Sequence, residues 1–264
     1  MGRPSKDSGS AFTSRELALG ADLSLRNFSL LHEEGLAPKA LGADRGKGSH
    51  RLYSSPALAQ SALIGAVHLA GFELLVAGRL AQEFAEEAEM VRGKLHSNLA
   101  AYLQAPFNPT PGRRPWSGEG EDLNLEDDFW IHNRLQNSVV DYRRQVAIRG
   151  DMVIDIADHE YVLTETHGLS GVKIFSPVSR EGLAASPDYR IVGRGSGARI
   201  VPITDEVDSL DFSADAASAA RYKALQEDYI AARENAVTRV RINVSLAIRN
   251  AFDRVLDDRT RAAA

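Results

Sequence analysis

The chain has 264 residues, 44% of them hydrophobic, with 36 acids against 31 bases and a formal net charge of -5, which is material for about two domains with real cores. Cysteine is absent, which excludes disulfides, thiolate metal sites and thiol redox sensing. The acidic balance excludes a general nucleic-acid sponge, and the most apolar stretch, Leu63 to Gly78, is broken by His68 and Glu73 and does not read as a membrane span.

In chain order, residues 1–11 read as a polar tail without a secretory apolar core. Thr13 with Glu16 three positions later is a capping box opening a short helix around Leu17 and Ala18, and Ala21, Asp22 and Leu23 supply a turn. Ser24 caps a second helix through Arg26, Asn27, Phe28 and Leu31, which stops at Gly35, a residue suited to the left-handed position past a helix end. Leu36 to Tyr53 reads as two extended pieces around Ala43 to Gly48. Between Lys39 and Arg51 stand Lys39, Arg45, Lys47 and Arg51 against Asp44 alone, with His50 beside them, a basic hairpin of the kind that sits on duplex phosphates. Ser55 caps and Pro56 starts a third helix carrying Ala59, Leu63, Ala66, Val67 and Ala70, closed by Gly71.

The segments FTSRELALGADLSLRNFSLLHEEGL and HRLYSSPALAQSALIGAVHLAGF together resemble the MerR family of transcriptional regulators: helix-turn-helix, Gly-Leu exit, Arg-Leu-Tyr wing and Gly-Phe turn follow in the family's order. The resemblance covers roughly the first third of the chain. It implies a winged helix-turn-helix over residues 12–72 that binds double-stranded DNA as a homodimer, with the second helix in the major groove. Candidate DNA-binding residues are Arg15, Ser24, Arg26, Asn27, Lys47, His50, Arg51 and Tyr53. Tyr53 has two roles open to it, phosphate contact or packing under the wing. Where family members carry Arg-Tyr-Tyr-Glu late in the recognition helix, this chain has Ser29, Leu30, Leu31 and His32, so nothing is carried over at Ser29 to Leu31.

From residue 73 to 105 the apolar positions Leu80, Phe84, Ala88, Val91, Leu95, Leu99 and Tyr102 recur at steps of three and four, predicting a long helix with one narrow seam. The resemblance makes that seam the dimer interface. Residues 106–122, with Pro106, Pro109, Pro111 and Pro115, read as a linker. Beyond them the sequence predicts an α+β domain over 123–264. Its parts are a helix through Phe129, Val139, Tyr142 and Val146, strands at 152–156, 161–166, 172–175, 189–192 and 199–203, and one long helical stripe from Tyr222 through Val240 and Val244 to Val255. The expected fold class is therefore mainly α with a small β component, ending in a long helix.

Three constellations in the second half invite chemistry. Gly193 to Gly197 has the composition of a phosphate loop, but flanking strands make a hairpin turn the better reading. Asp155, Asp158, His159, Glu165 and His167 match no metal-ligand spacing and read as a solvated edge. Trp130, His132, Tyr142 and Tyr161 offer an aromatic-lined ligand pocket, against the competing reading of core residues with a satisfied polar tip. No nucleophile, base and oxyanion donor can be assembled and no cofactor is implied, so binding and not catalysis is expected. The sequence thus points to a cytoplasmic, non-membrane transcriptional regulator whose further partners are a small-molecule effector or RNA polymerase. The alternative is an architectural or accessory factor whose C-terminal domain docks a protein.

Overall fold

The computed structural model describes residues 11–42, 51–92, 140–141, 146–147, 152–166, 189–203 and 216–264. Strand β1 (Phe12–Thr13) leads into α1 (Ser14–Gly20), whose first turn is closed reciprocally: Thr13 Oγ1 accepts the Glu16 N–H at 3.3 Å and the Glu16 carboxylate accepts the Thr13 N–H at 2.7 Å. Asp22, left-handed at φ 56°, turns the chain, and the Leu23 N–H returns to the Ala18 carbonyl at 2.9 Å. Helix α2 (Leu25–Glu33) follows, and Gly35 at φ 71° ends it. Strand β2 (Leu52–Tyr53) pairs antiparallel with β1, placing Tyr53 opposite Phe12, while Ala40 bridges to Tyr53.

Helix α3 (Ser55–Leu69) begins one residue ahead of Pro56, with Ser54 in the capping position expected for Ser55. Ala57, Leu58, Ala59, Ala62, Leu63, Ile64 and Val67 are all buried, so the helix is apolar most of the way round, as a central helix must be. Its closest approach is at Gly65: a Cβ there would overlap the Ala21 carbonyl. Gly71 at φ 99° turns the chain into α4 (Leu74–Arg92).

The second half departs from expectation in two places. Val140–Asp141 (β3) pairs antiparallel with Val146–Ala147 (β4) where a continuous helix was expected through Val139 and Val146; neighbouring valines favour the extended backbone. The C-terminal stretch is not one helix. Helix α5 (Ala216–Asn235) is separated from α6 (Val244–Ala263) by a strand over Arg239–Asn243, where Arg239, Val240, Arg241 and Ile242 alternate charged and β-branched residues at the strand period. This last strand, β9, pairs with β5 (Met152–Ala157), setting Ile242 opposite Ile154. With β6 (Tyr161–Thr166), β7 (Tyr189–Val192) and β8 (Arg199–Pro202) it completes a five-stranded antiparallel sheet in the order β8-β7-β6-β5-β9. The molecule is mixed helix and sheet and ends in a helix.

Alternation along the strands divides the core. Ile154, Ile156, Val162, Tyr189, Ile191, Ile200 and Ile242 join one apolar cluster with Phe12, Leu17, Phe28, Leu31, Leu58, Leu63, Leu80 and Phe84, and with Val244, Ile248, Ala251, Phe252 and Val255 of α6. Ala157, Tyr161 and Leu163 face the other way, against Tyr229 and Ala232 of α5. The first helices and the sheet therefore share one core, where a separable head joined by a dimer helix was expected. Leu80 and Phe84, assigned to the dimer seam by spacing, are 0% and 1% exposed within the chain itself. Phe84 packs on Tyr189 with ring centroids 5.0 Å apart, so these two positions leave no surface for a partner helix. Leu95, Leu99 and Tyr102 lie outside the described residues, as do the residues of the expected linker and the expected strand at 172–175.

Candidate functional site

The N-terminal turn of α2 projects from the core. Ser24, Leu25 and Arg26 are exposed and Asn27 is half-buried. Ser24 is occupied locally, its Oγ accepting the Asn27 N–H at 3.1 Å, so it fixes the start of the helix. Arg15 on α1 and Arg51 beside β2 are exposed as well, as are Leu30 on α2 and Leu52 on β2, each at 38%. Lys47 and His50 lie outside the described residues.

His32, in the last turn of α2, ties this surface together. Its Nε2 lies 2.6 Å from the Tyr53 hydroxyl and its Nδ1 3.2 Å from Arg51 Nη1. A guanidinium has only donors, so Nδ1 must accept from Arg51, and the ring proton is then on Nε2 and donated to Tyr53. Ser14 Oγ adds a second donor to the same hydroxyl at 3.3 Å. The Phe28 ring stands edge-on to both His32, at 5.2 Å, and Tyr53, at 6.2 Å. Tyr53 is 0% exposed, which corrects its assignment as a surface phosphate ligand: it is the buried post on which His32, and through it Arg51, is held. His32 is not among the residues the sequence singles out, because its partners Tyr53 and Arg51 lie 21 and 19 positions away.

Helix α6 braces α1 from behind. Arg259 Nε donates to Glu16 Oε1 at 2.6 Å and its Nη2 to the Ala11 carbonyl at 2.7 Å, while its guanidinium lies 4.9 Å from the Phe12 ring centroid. Arg254 Nη2 donates to the Gly20 carbonyl at 2.6 Å, and Phe252 meets Phe12 edge-on at 5.8 Å. Burial raises the Glu16 pKa, but the Arg259 hydrogen bond, the Thr13 N–H and the Arg259 charge outweigh it and hold the carboxyl below its ordinary value.

Of the aromatic set in the second half, Trp130, His132 and Tyr142 lie outside the described residues. Tyr161 is buried against the α5 side of the sheet, with the Arg190 guanidinium 5.6 Å from its ring centroid, and so is a core residue and not a pocket wall. Asp155, read as part of a solvated edge, is buried at 7% exposure and lies 3.8 Å from Arg241. Asp158 accepts the Thr238 N–H at 2.8 Å and the Val237 N–H at 3.3 Å; the Thr238 amide above all keeps its carboxyl below the ordinary value. Among the described residues no three His, Asp or Glu side chains converge on a metal position, and no helix is long and apolar enough to cross a membrane. Gly193 and Gly195, both at positive φ, connect antiparallel β7 and β8 through a single 3-10 turn.

No protein-family model, no curated protein and no solved structure matches the chain.

Proposed function

We propose that this protein is a DNA-binding transcriptional regulator of MerR-like type, in which α2 enters the major groove and the segment ending in Arg51 rests on the backbone. The observation that carries the reading is the exposed start of α2, Ser24 to Asn27, on the same helix whose last turn, through His32, holds an exposed Arg51. Two short helices with a tight turn suit a groove about 12 Å wide. Arg26 and Asn27 sit early on the helix, where base edges are read, and Arg51 supplies a phosphate contact. The basic run from Lys39 to Arg51 in an otherwise acidic chain focuses that contact. Homodimerisation belongs to the same reading, through the later part of the sequence stripe beyond Phe84: Ala88, Val91, Leu95, Leu99 and Tyr102.

The accessory-factor alternative called for an exposed apolar stripe on the terminal helix. Val244, Ile248, Phe252 and Val255 are instead buried on α1 and α3, which favours regulation over docking. The test is selection of bound duplexes from a random library by the full chain, followed by anisotropy titrations at several salt concentrations. An enriched motif whose affinity falls with salt is expected, with Arg26→Ala or Asn27→Ala relaxing base preference. Absence of any enriched duplex at low salt sinks the proposal.

A further inference from the structure

Three turns meet where the helices abut the sheet: the Gly71 turn between α3 and α4, the Asp158–Glu160 turn between β5 and β6, and the Gly193–Gly197 loop between β7 and β8. They enclose an open cleft of about 670 Å³, within the roughly 300–1,000 Å³ of small-molecule sites. The apolar part of its wall is Phe72, Val76 and Ile191, all under 9% exposed, and the His159 ring lies 4.9 Å from Phe72. The shape is held at some cost. Asp158 and His159 both take left-handed backbone, φ 49° and 59°, without being glycine, and the Asp158 carboxylate pins the turn to Val237 and Thr238. On the far side Arg79 Nη2 donates to the Ser196 carbonyl at 2.7 Å, fixing the loop to α4.

The charges on the rim divide into used and unused. Glu160 is spent on Arg190, whose Nε lies 2.6 Å from its carboxylate, and Asp158 on the turn. Among the described residues, the side chains of Glu73 and Arg194 make no hydrogen bond or ion pair. Glu73 Oε2 stands over the loop, 3.8 Å from where a Cβ on Gly195 would lie, next to Arg194 in sequence. A simple polyanion would meet the carboxylates of Glu73, Asp158 and Glu160, and a simple cation would meet Arg190 and Arg194. One free carboxylate and one free guanidinium above an apolar, aromatic wall suit a ligand carrying both signs.

We propose that this cleft binds a zwitterionic ligand with an apolar side chain, an α-amino acid or the like, with its ammonium on Glu73, its carboxylate on Arg194 and its side chain against Phe72, His159, Val76 and Ile191. Because the wall is built from both the α3–α4 corner and the sheet, an occupant stiffens the junction between them. The binding claim is independent of DNA reading and is measured without DNA.

The experiment is calorimetry and thermal melting of the full chain with L-phenylalanine and L-leucine, beside 3-phenylpropionate and 2-phenylethylamine, which each lack one charge. At least one amino acid is expected to bind and raise the Tm, with each single-charge analogue about tenfold weaker or worse, as loss of one charged contact implies. Glu73→Gln should erase the preference for phenylalanine over phenylpropionate, and Arg194→Met its preference over phenylethylamine. Both positions are exposed, so each variant is expected to fold, and its own unliganded Tm is the baseline. The assignment is overturned by a lack of binding of either amino acid at 10 mM, about the weakest affinity worth the name. It is equally overturned by an analogue that binds as tightly as the amino acid, or by folded variants that keep wild-type selectivity.

Discussion

Arg259, in the last turns of the chain, donates its Nε to the carboxylate of Glu16 at 2.6 Å, and Glu16 in turn closes the first turn of α1 through Thr13. The end of the chain is thus bonded to the cap of the first helix. Arg254 on the Gly20 carbonyl and Phe252 on Phe12 repeat the connection about one and two turns earlier. A salt bridge, an aromatic edge and a carbonyl bond on one helix thus tie α6 to α1.

Removal of α6 should therefore abolish folding of the N-terminal helices. A chain ending at Asn243 loses Val244, Ile248, Phe252 and Val255 from the core, about 6–12 kcal/mol at roughly 1.5–3 kcal/mol for each buried side chain, against a total stability of about 5–15 kcal/mol. The same reasoning holds for residues 1–105 alone. Circular dichroism melts of both truncations should show no cooperative transition, and a sharp one in either would establish a separable reading head.

The Glu16–Arg259 pair gives a pH signature. Its carboxyl titrates below the ordinary glutamate value of 4.5, so the folded state prefers it charged. That contribution is complete above 4.5 and disappears as pH falls through the lowered folded value. Glu16→Gln should cost about 1–3 kcal/mol at pH 7, the scale of a charge-assisted bond, with the gap from wild type narrowing under acid. Urea unfolding at pH 7 and pH 3 measures both. A gap that is constant with pH would show that the carboxylate charge contributes nothing, to Arg259 or to the capping box.

Much of this architecture is legible in sequence because it is local. The Thr13–Glu16 box, the Ser24 cap, the stops at Gly35 and Gly71 and four strands of the larger sheet each follow from residues within a few positions of one another. The helix expected across Val140 to Ala147 fails because spacing alone cannot arbitrate between helix and strand in a short apolar run, and the strand at Arg239–Asn243 was hidden because Val240 and Val244 also fit a helical step. Arg259 meeting Glu16 across 243 positions leaves no local trace. Nor do Glu73 and Arg194 facing one cleft. Tyr53 and Leu80 were placed on the right elements, but a periodic stripe shows only that a face is covered, not whether the cover is the chain's own core or another molecule.

The His32–Tyr53 contact separates holding from touching. Tyr53→Phe removes the acceptor of both the His32 Nε2–H and Ser14, which should lower stability by about 1–3 kcal/mol and, by loosening His32 under Arg51, weaken duplex binding by less than Arg51→Ala does. Arg51→Ala should keep stability and lower that slope by about one, the loss of one phosphate contact. His32→Leu is expected to weaken binding to all duplexes alike, because Arg51 loses one of its anchors while the proposed base-reading residues Arg26 and Asn27 are untouched. A Tyr53→Phe protein whose salt slope falls by more than that of Arg51→Ala would put the hydroxyl itself on the DNA and contradict its burial.

Substitutions along α4 should split into two classes at the point where the chain's own core stops using the apolar stripe. Leu80 is 0% exposed, so Leu80→Asp buries an unpaired carboxylate at a cost of several kcal/mol and should unfold the protein. Val91 and Leu95 continue the same spacing beyond Phe84, where the proposed dimer has to make its contact. The double variant Val91→Asp/Leu95→Asp should keep the wild-type melt measured at low concentration and sediment as a monomer where the parent sediments as a dimer. If it melts with Leu80→Asp, the stripe is intramolecular throughout; if it stays dimeric, the two-fold contact is built from another surface and α4 serves the protomer alone.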